Sequence, residues 1–171
     1  MKRIFAITFI VLSFIVMYSC AGTKDPSATE LREYEDLKSL VSARNFKIVN
    51  DFANTSIGGN VNIVGNTNFI EFKGDSVDVF LPFFGIRYSG SSYGNEGGIK
   101  YKGIAKDLKI TEQTDKARLL LEFRGSQNGE DLDFIITLFP NKNVNTSVNT
   151  SERSTISFRG EISEIKSEED F

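Results

Sequence analysis

Little in this chain can do covalent chemistry. Of its 171 residues none is histidine, and Cys20 is the only cysteine. Without imidazole there is no Ser-His-Asp relay, no His-activated thiol and no ordinary catalytic zinc set, since each needs a group titrating near neutrality. Oxygen chemistry is left. Glu71, Asp78, Glu96, Glu122 and Asp133 could act in pairs as acid and base on a glycoside, but they are scattered and read as the wet face of alternating strands. Glu130-Asp131-Leu132-Asp133 offers hard-cation donors, yet it follows a turn signal and reads as a charged hairpin. Gly94-Asn95-Glu96-Gly97-Gly98 lacks the Lys-Ser/Thr pair and following helix of a phosphate cradle. The expectation is a protein that is not an enzyme and carries no cofactor and no metal.

Cys20 needs another explanation, because a lone cysteine in an exported chain has no disulfide partner. Export is what the start of the chain implies. Lys2 and Arg3 precede a run from Ile4 to Tyr18 with nothing more polar than Thr8 and Ser13. That is the pattern of a signal peptide, and it is short for a membrane span of about 20 apolar residues. Ser19-Cys20-Ala21-Gly22 then looks like a bacterial lipobox, although Met17 and Tyr18 stand where Leu and a small residue are usual. Rival readings are cleavage after Ala21, which releases a soluble protein, and an uncut signal anchor. Lipidation predicts residues 1–19 as lipoprotein signal, 20–27 as a lipid-proximal tether and 28–171 as a single β-rich domain. The acylated Cys20 would be the membrane partner, because two or more acyl chains hold a protein stably where one does not. The expected location is the cell envelope, as an outer-membrane lipoprotein on the periplasmic face or the surface.

Charge excludes one class of partner. The whole chain carries a formal −3, and the first 19 residues take two basic and no acidic groups with them. No basic patch is left to follow a phosphate backbone, so no nucleic-acid partner is expected.

The elements that must position any site are legible from periodicity. Ser27 and Glu30 have the spacing of a capping box. Leu31, Tyr34, Leu37, Leu40 and Val41 then recur at steps of three and four, which predicts an amphipathic helix over about 28–44. Beyond Phe46 the period falls to two. Residues 117–123 and 132–138 alternate most clearly, with 144–148 and 156–162 behind them, and Asn128-Gly129 marks a hairpin. Shorter runs at 61–64, 69–72, 77–81, 99–101 and 104–110 are separated by Gly-rich turns, and 46–53 is a further, less regular one. The predicted fold is mainly β: an antiparallel meander, sandwich or barrel of about ten strands, with the N-terminal helix covering an open edge or mouth. Twelve phenylalanines beyond the signal would fill much of the core.

Residues 81–99, LPFFGIRYSGSSYGNEGGI, break this rhythm. Pro82 ends a strand, Phe83 and Phe84 can plug the core, and Gly85 permits a corner. The long Gly/Ser stretch after it carries Arg87, Tyr88 and Tyr93, residue types favoured as binding anchors. With the preceding Gly74-Asp75-Ser76-Val77-Asp78-Val79-Phe80, the segment is similar to the "gd.v...LPyfG" stretch of an uncharacterised family of Bacteroides-type lipoproteins, domain of unknown function 4251. Gly97-Gly98-Ile99 and Arg153 to Ile162 (RSTISFRGEI) fit the same family. The resemblance implies a mainly β envelope lipoprotein and brings no catalytic residues. The leading expectation is a non-catalytic module that holds an envelope protein, a glycan or a small ligand through Arg87, Tyr88 and Tyr93. The alternative is a lipocalin-like carrier of an apolar ligand in the β interior.

Overall fold

The computed structural model describes residues 27–56, 58–89 and 97–165. Helix α1 (Ala28–Ser42) starts as its cap demands: the Glu30 amide donates to Ser27 Oγ at 3.2 Å, and the Ser27 amide donates to Glu30 Oε2 at 2.7 Å. It buries Tyr34, Leu37 and Val41 and stops two residues earlier than the periodicity suggests, because Arg44 turns the chain with φ of 50°.

Ten strands follow: β1 (Asn45–Thr55), β2 (Asn60–Asn62), β3 (Phe69–Lys73), β4 (Ser76–Pro82), β5 (Gly98–Ile104), β6 (Lys106–Gln113), β7 (Arg118–Gln127), β8 (Glu130–Leu138), β9 (Asn143–Thr150) and β10 (Ile156–Glu164). Their order is β5-β4-β3-β1-β10-β9-β8-β7-β6, with β2 paired on β1, and every ladder is antiparallel. The two strands at the ends of this order, β5 and β6, are neighbours in sequence with Ala105 between them. One bent stretch therefore pairs with β4 by its first half and with β7 by its second, and the sheet curls into a nearly closed barrel. The Ala105 amide donates to Asp75 O at 3.0 Å, and Asp107, with φ of 51°, breaks the register between Lys106 and Lys109. Side chains satisfy backbone groups along β5: Lys102 N donates to Gln127 Oε1 (3.3 Å), and Ile104 O accepts from Tyr101 Oη (2.5 Å).

A second irregularity shapes the wall. The register of β1 on β10 shifts between Asn50 and Phe52. There the β1 backbone comes so close that a Cβ on Gly160 would lie 2.0 Å from Val49 O, so only glycine fits. Asn50, turned inward at the bulge, is held by Asn68, whose Oδ1 accepts from the Asn50 amide at 2.7 Å and whose Nδ2 donates to Asn50 O at 2.9 Å.

Inward positions of the strands form one core. Aromatic rings run across it: Phe46 stacks on Phe72 (4.8 Å), Phe72 meets Phe123 edge-on (5.4 Å), and Phe123 stacks on Phe134 (4.5 Å). The barrel has two distinct poles. At one, the helix pole, lie the β3–β4, β6–β7 and β8–β9 connections and α1, tied down by Lys38 Nζ on Glu112 Oε2 at 3.0 Å. The other gathers the β1–β2, β4–β5, β7–β8 and β9–β10 connections.

Candidate functional site

At that second pole the chain leaving β4 crosses the barrel mouth. Phe83 and Phe84 pack partly buried against the core, as the corner reading requires. Gly85 follows, where a Cβ would sit 2.6 Å from Ser154 Oγ and 2.7 Å from the Phe83 ring. This close approach lets residues 86–89 run as a strap along the β9–β10 connection. Ile86 N donates to Ser154 Oγ (3.1 Å), Ser154 N donates to Ile86 O (2.8 Å), and Tyr88 N donates to Glu152 O (2.7 Å). Arg87 and Arg153 form an isolated antiparallel bridge.

Beneath the strap lies an ion pair. Arg153 Nε and Nη2 donate to the two Glu130 carboxylate oxygens, each at 2.8 Å, in a fork in which both side chains are less than a tenth exposed. Arg153 Nη1 reaches across to Gly98 O at 3.0 Å, so the same guanidinium holds the first residue of β5, and its Cζ lies 5.3 Å from the Phe83 ring centroid. Thr150 Oγ1 shapes the turn that aims Arg153 by accepting from the Arg153 and Glu152 amides at 2.8 and 3.3 Å. One buried cation thus ties together β8, the β9–β10 turn, Phe83 and the foot of β5.

The three residues expected to bind a partner separate here. The Arg87 guanidinium lies 3.6 Å from Glu152 and 3.8 Å from Glu130, so it serves the pinning of the strap. Tyr88 is 69% exposed and Ile86, which sequence reasoning passed over, is 48% exposed. Tyr93 lies outside the described residues, as do Cys20 and Glu96. Glu152 was passed over, Arg153 and Ser154 entered only through the resemblance, and Glu130 only as a cation donor or charged hairpin. Glu130 is not part of a cation-binding cluster: its side chain faces inward and is matched by Arg153, while Asp131 and Asp133 point outward. Among the described residues no group of three or more Cys, Asp or Glu side chains is placed to hold a metal ion.

The other carboxylates sit on the outer wall. Glu71 and Asp78 oppose each other across β3 and β4. Lys73 at 2.7 Å and Lys47 at 3.5 Å hold the Glu71 carboxyl below its ordinary range, the hydrogen bond to Lys73 being the largest cause. Asp78 is bridged by Lys102 at 2.7 Å, which raises the Lys102 ammonium. Glu122 and Asp133 line a shallow hollow of about 410 Å³ with Asp107, Lys109 and Arg124, and Arg124 binds Asp133 at 3.1 Å and Asp107 at 3.5 Å. A larger hollow, about 770 Å³, opens at the helix pole between Ser27, Glu30, Asp115, Lys116 and Phe139. No helix among the described residues is long and apolar enough to cross a membrane.

Comparison with curated proteins finds no match. Among solved structures the chain is similar to a DUF4251 family protein from Bacteroides eggerthii DSM 20697, with 18% identity and a TM-score of 0.59 over 80% of this chain and 91% of that one. That likeness is one of fold. The model of the family described as "Domain of unknown function (DUF4251)" matches residues 28–162, from the first residue of α1 into the last strand, and the chain belongs to that family.

Proposed function

We propose that this protein is a cell-envelope lipoprotein, anchored through Cys20, that works by holding a partner at the strap and performs no catalysis. One observation carries the reading. The strap is pinned from below by a buried forked ion pair, yet it turns Ile86 and Tyr88 outward, 48% and 69% exposed. An aromatic side chain on a preorganised backbone loses little conformational entropy on binding, the economy that makes tyrosine a good anchor. The filled interior favours a surface site over an enclosed apolar ligand, because the Phe46, Phe72, Phe123 and Phe134 rings occupy the space such a ligand would need. The charged outer-wall hollow favours holding over hydrolysis, since Arg124 engages two of its carboxylates.

The test is site-specific photocrosslinking in intact cells of the source type, with benzoylphenylalanine replacing Tyr88, and replacing the outer-wall Val49 as a control. A discrete adduct at position 88 that is absent at position 49 is expected. Equal labelling at both positions, or none at 88, would refute strap binding.

A further inference from the structure

We infer that the barrel stands on its helix pole, with the strap carried to the side away from the anchoring membrane, so that the strap's partner comes from the aqueous side and is not the anchoring lipid. This rests on the anchoring of Cys20 proposed above. Six residues, Ala21 to Pro26, separate the anchor Cys20 from Ser27, and the seven steps of chain between them reach at most about 25 Å. Ser27 lies at the helix pole, lining the hollow beside Asp115, Lys116 and Phe139. The strap lies at the opposite pole, and β8 links the two, from Glu130 beneath the strap to Leu138 before the β8–β9 connection. Its nine residues cover about 27 Å along the strand, or roughly 20 Å along the axis at the usual barrel tilt. The tether thus enters at the near pole, and Tyr88 stands most of a barrel length farther out.

The charge of the near pole sharpens the geometry. Glu30, Glu33 and Asp115 outnumber Lys116 around the Ser27 hollow. Against an anionic bilayer the carboxylates around this hollow are repelled, and the tether is what keeps it near the lipid. Its distance from the lipid is therefore set by chain length and ionic strength.

The experiment places a ketone amino acid at Glu33 or at Tyr88, attaches a donor dye, and measures energy transfer to an acceptor on lipid headgroups in phosphatidylethanolamine/phosphatidylglycerol vesicles. One arm uses the membrane-extracted protein as cells make it. The other uses unacylated chain coupled through its Cys20 thiol to a maleimide lipid. In both arms, transfer from position 33 at least twice that from position 88 is expected, with the position-33 signal rising as salt is added. Equal transfer, or more from 88, in the maleimide-coupled protein would overturn the orientation. If the cell-made protein does not associate with vesicles while the coupled protein keeps the ordering, the natural anchor fails and the inference falls with it.

Discussion

Replacing Arg153 by Met should cost the fold about 3 kcal/mol, the low end of what breaking a buried pair costs. The low end applies because Glu130 lies at a pole, where local opening can admit water, and because Arg87 stands 3.8 Å away as a partial substitute. The loss comprises a carboxylate less than a tenth exposed left without its fork, the Gly98 carbonyl left without its donor, and the contact with the Phe83 ring. For a domain of this size that amounts to a fall of roughly 6–12 °C in melting temperature. Urea unfolding followed by far-UV circular dichroism is the suitable assay, since the chain has no tryptophan. Glu130→Leu alone should cost a similar amount, but the double variant Arg153→Met/Glu130→Leu should recover most of it, because removing both charges also removes their desolvation. Hydrogen exchange at the Ile86 and Tyr88 amides should quicken in the Arg153→Met single variant before the core amides respond. A cost below 1 kcal/mol, or strictly additive single effects, would refute the view that this pair organises the strap.

Further outcomes follow from other contacts. Gly160→Ala forces a Cβ to within 2.0 Å of Val49 O and should destabilise by more than about 3 kcal/mol or abolish folding, as read by the same urea titration. Tyr88→Ala should shift stability by less than about 0.5 kcal/mol while abolishing the photoadduct formed from a probe at Ile86. Ser27→Ala removes the helix cap and should cost about 1 kcal/mol in urea titration. Glu71 supplies a pH dependence. Its folded-state carboxyl titrates below its ordinary value of 4.5 because of Lys73 and Lys47, so the stability it contributes is present above that value and is lost as pH falls through the folded one. Glu71→Gln should therefore lose up to about 1 kcal/mol at pH 7, and its stability should converge with wild type once pH has fallen below the folded-state value in acid titrations.

Local rules made much of the scaffold legible. The Ser27–Glu30 box and the apolar stripe of α1 depend on residues within two turns of each other, and β7 and β8 alternate cleanly because Leu119, Leu121 and Phe123 face Phe134, Ile136 and Leu138 across one ladder. β1 was harder to read, although it lies mid-sheet between β3 and β10. Its bulge after Asn50 slips the alternation, so the inward set passes from Phe46, Ile48 and Asn50 to Ala53, and Phe52 is only half-buried. β6 was blurred for a similar reason, since Asp107 breaks its register and it buries none of its side chains fully. The site was least visible of all. Glu130 and Arg153 sit 23 positions apart in segments that look solvated, and only the pairing of β8 with β9 turns them toward one another. The aromatic and glycine content of residues 81–99 singled out the segment that holds the strap but could not say that Arg87 would be occupied by Glu152 and Glu130.

The pairing of β1 with β10 also governs how the chain reaches this state. It joins residues 45–55 to residues 156–164, nearly the full span of the domain. Until β10 is available, β1 has β2 and β3 on one flank and bare backbone on the other, so the ring cannot close. Such distant closure is slow compared with hairpin formation, and a nascent chain lacking its last strand would stay open.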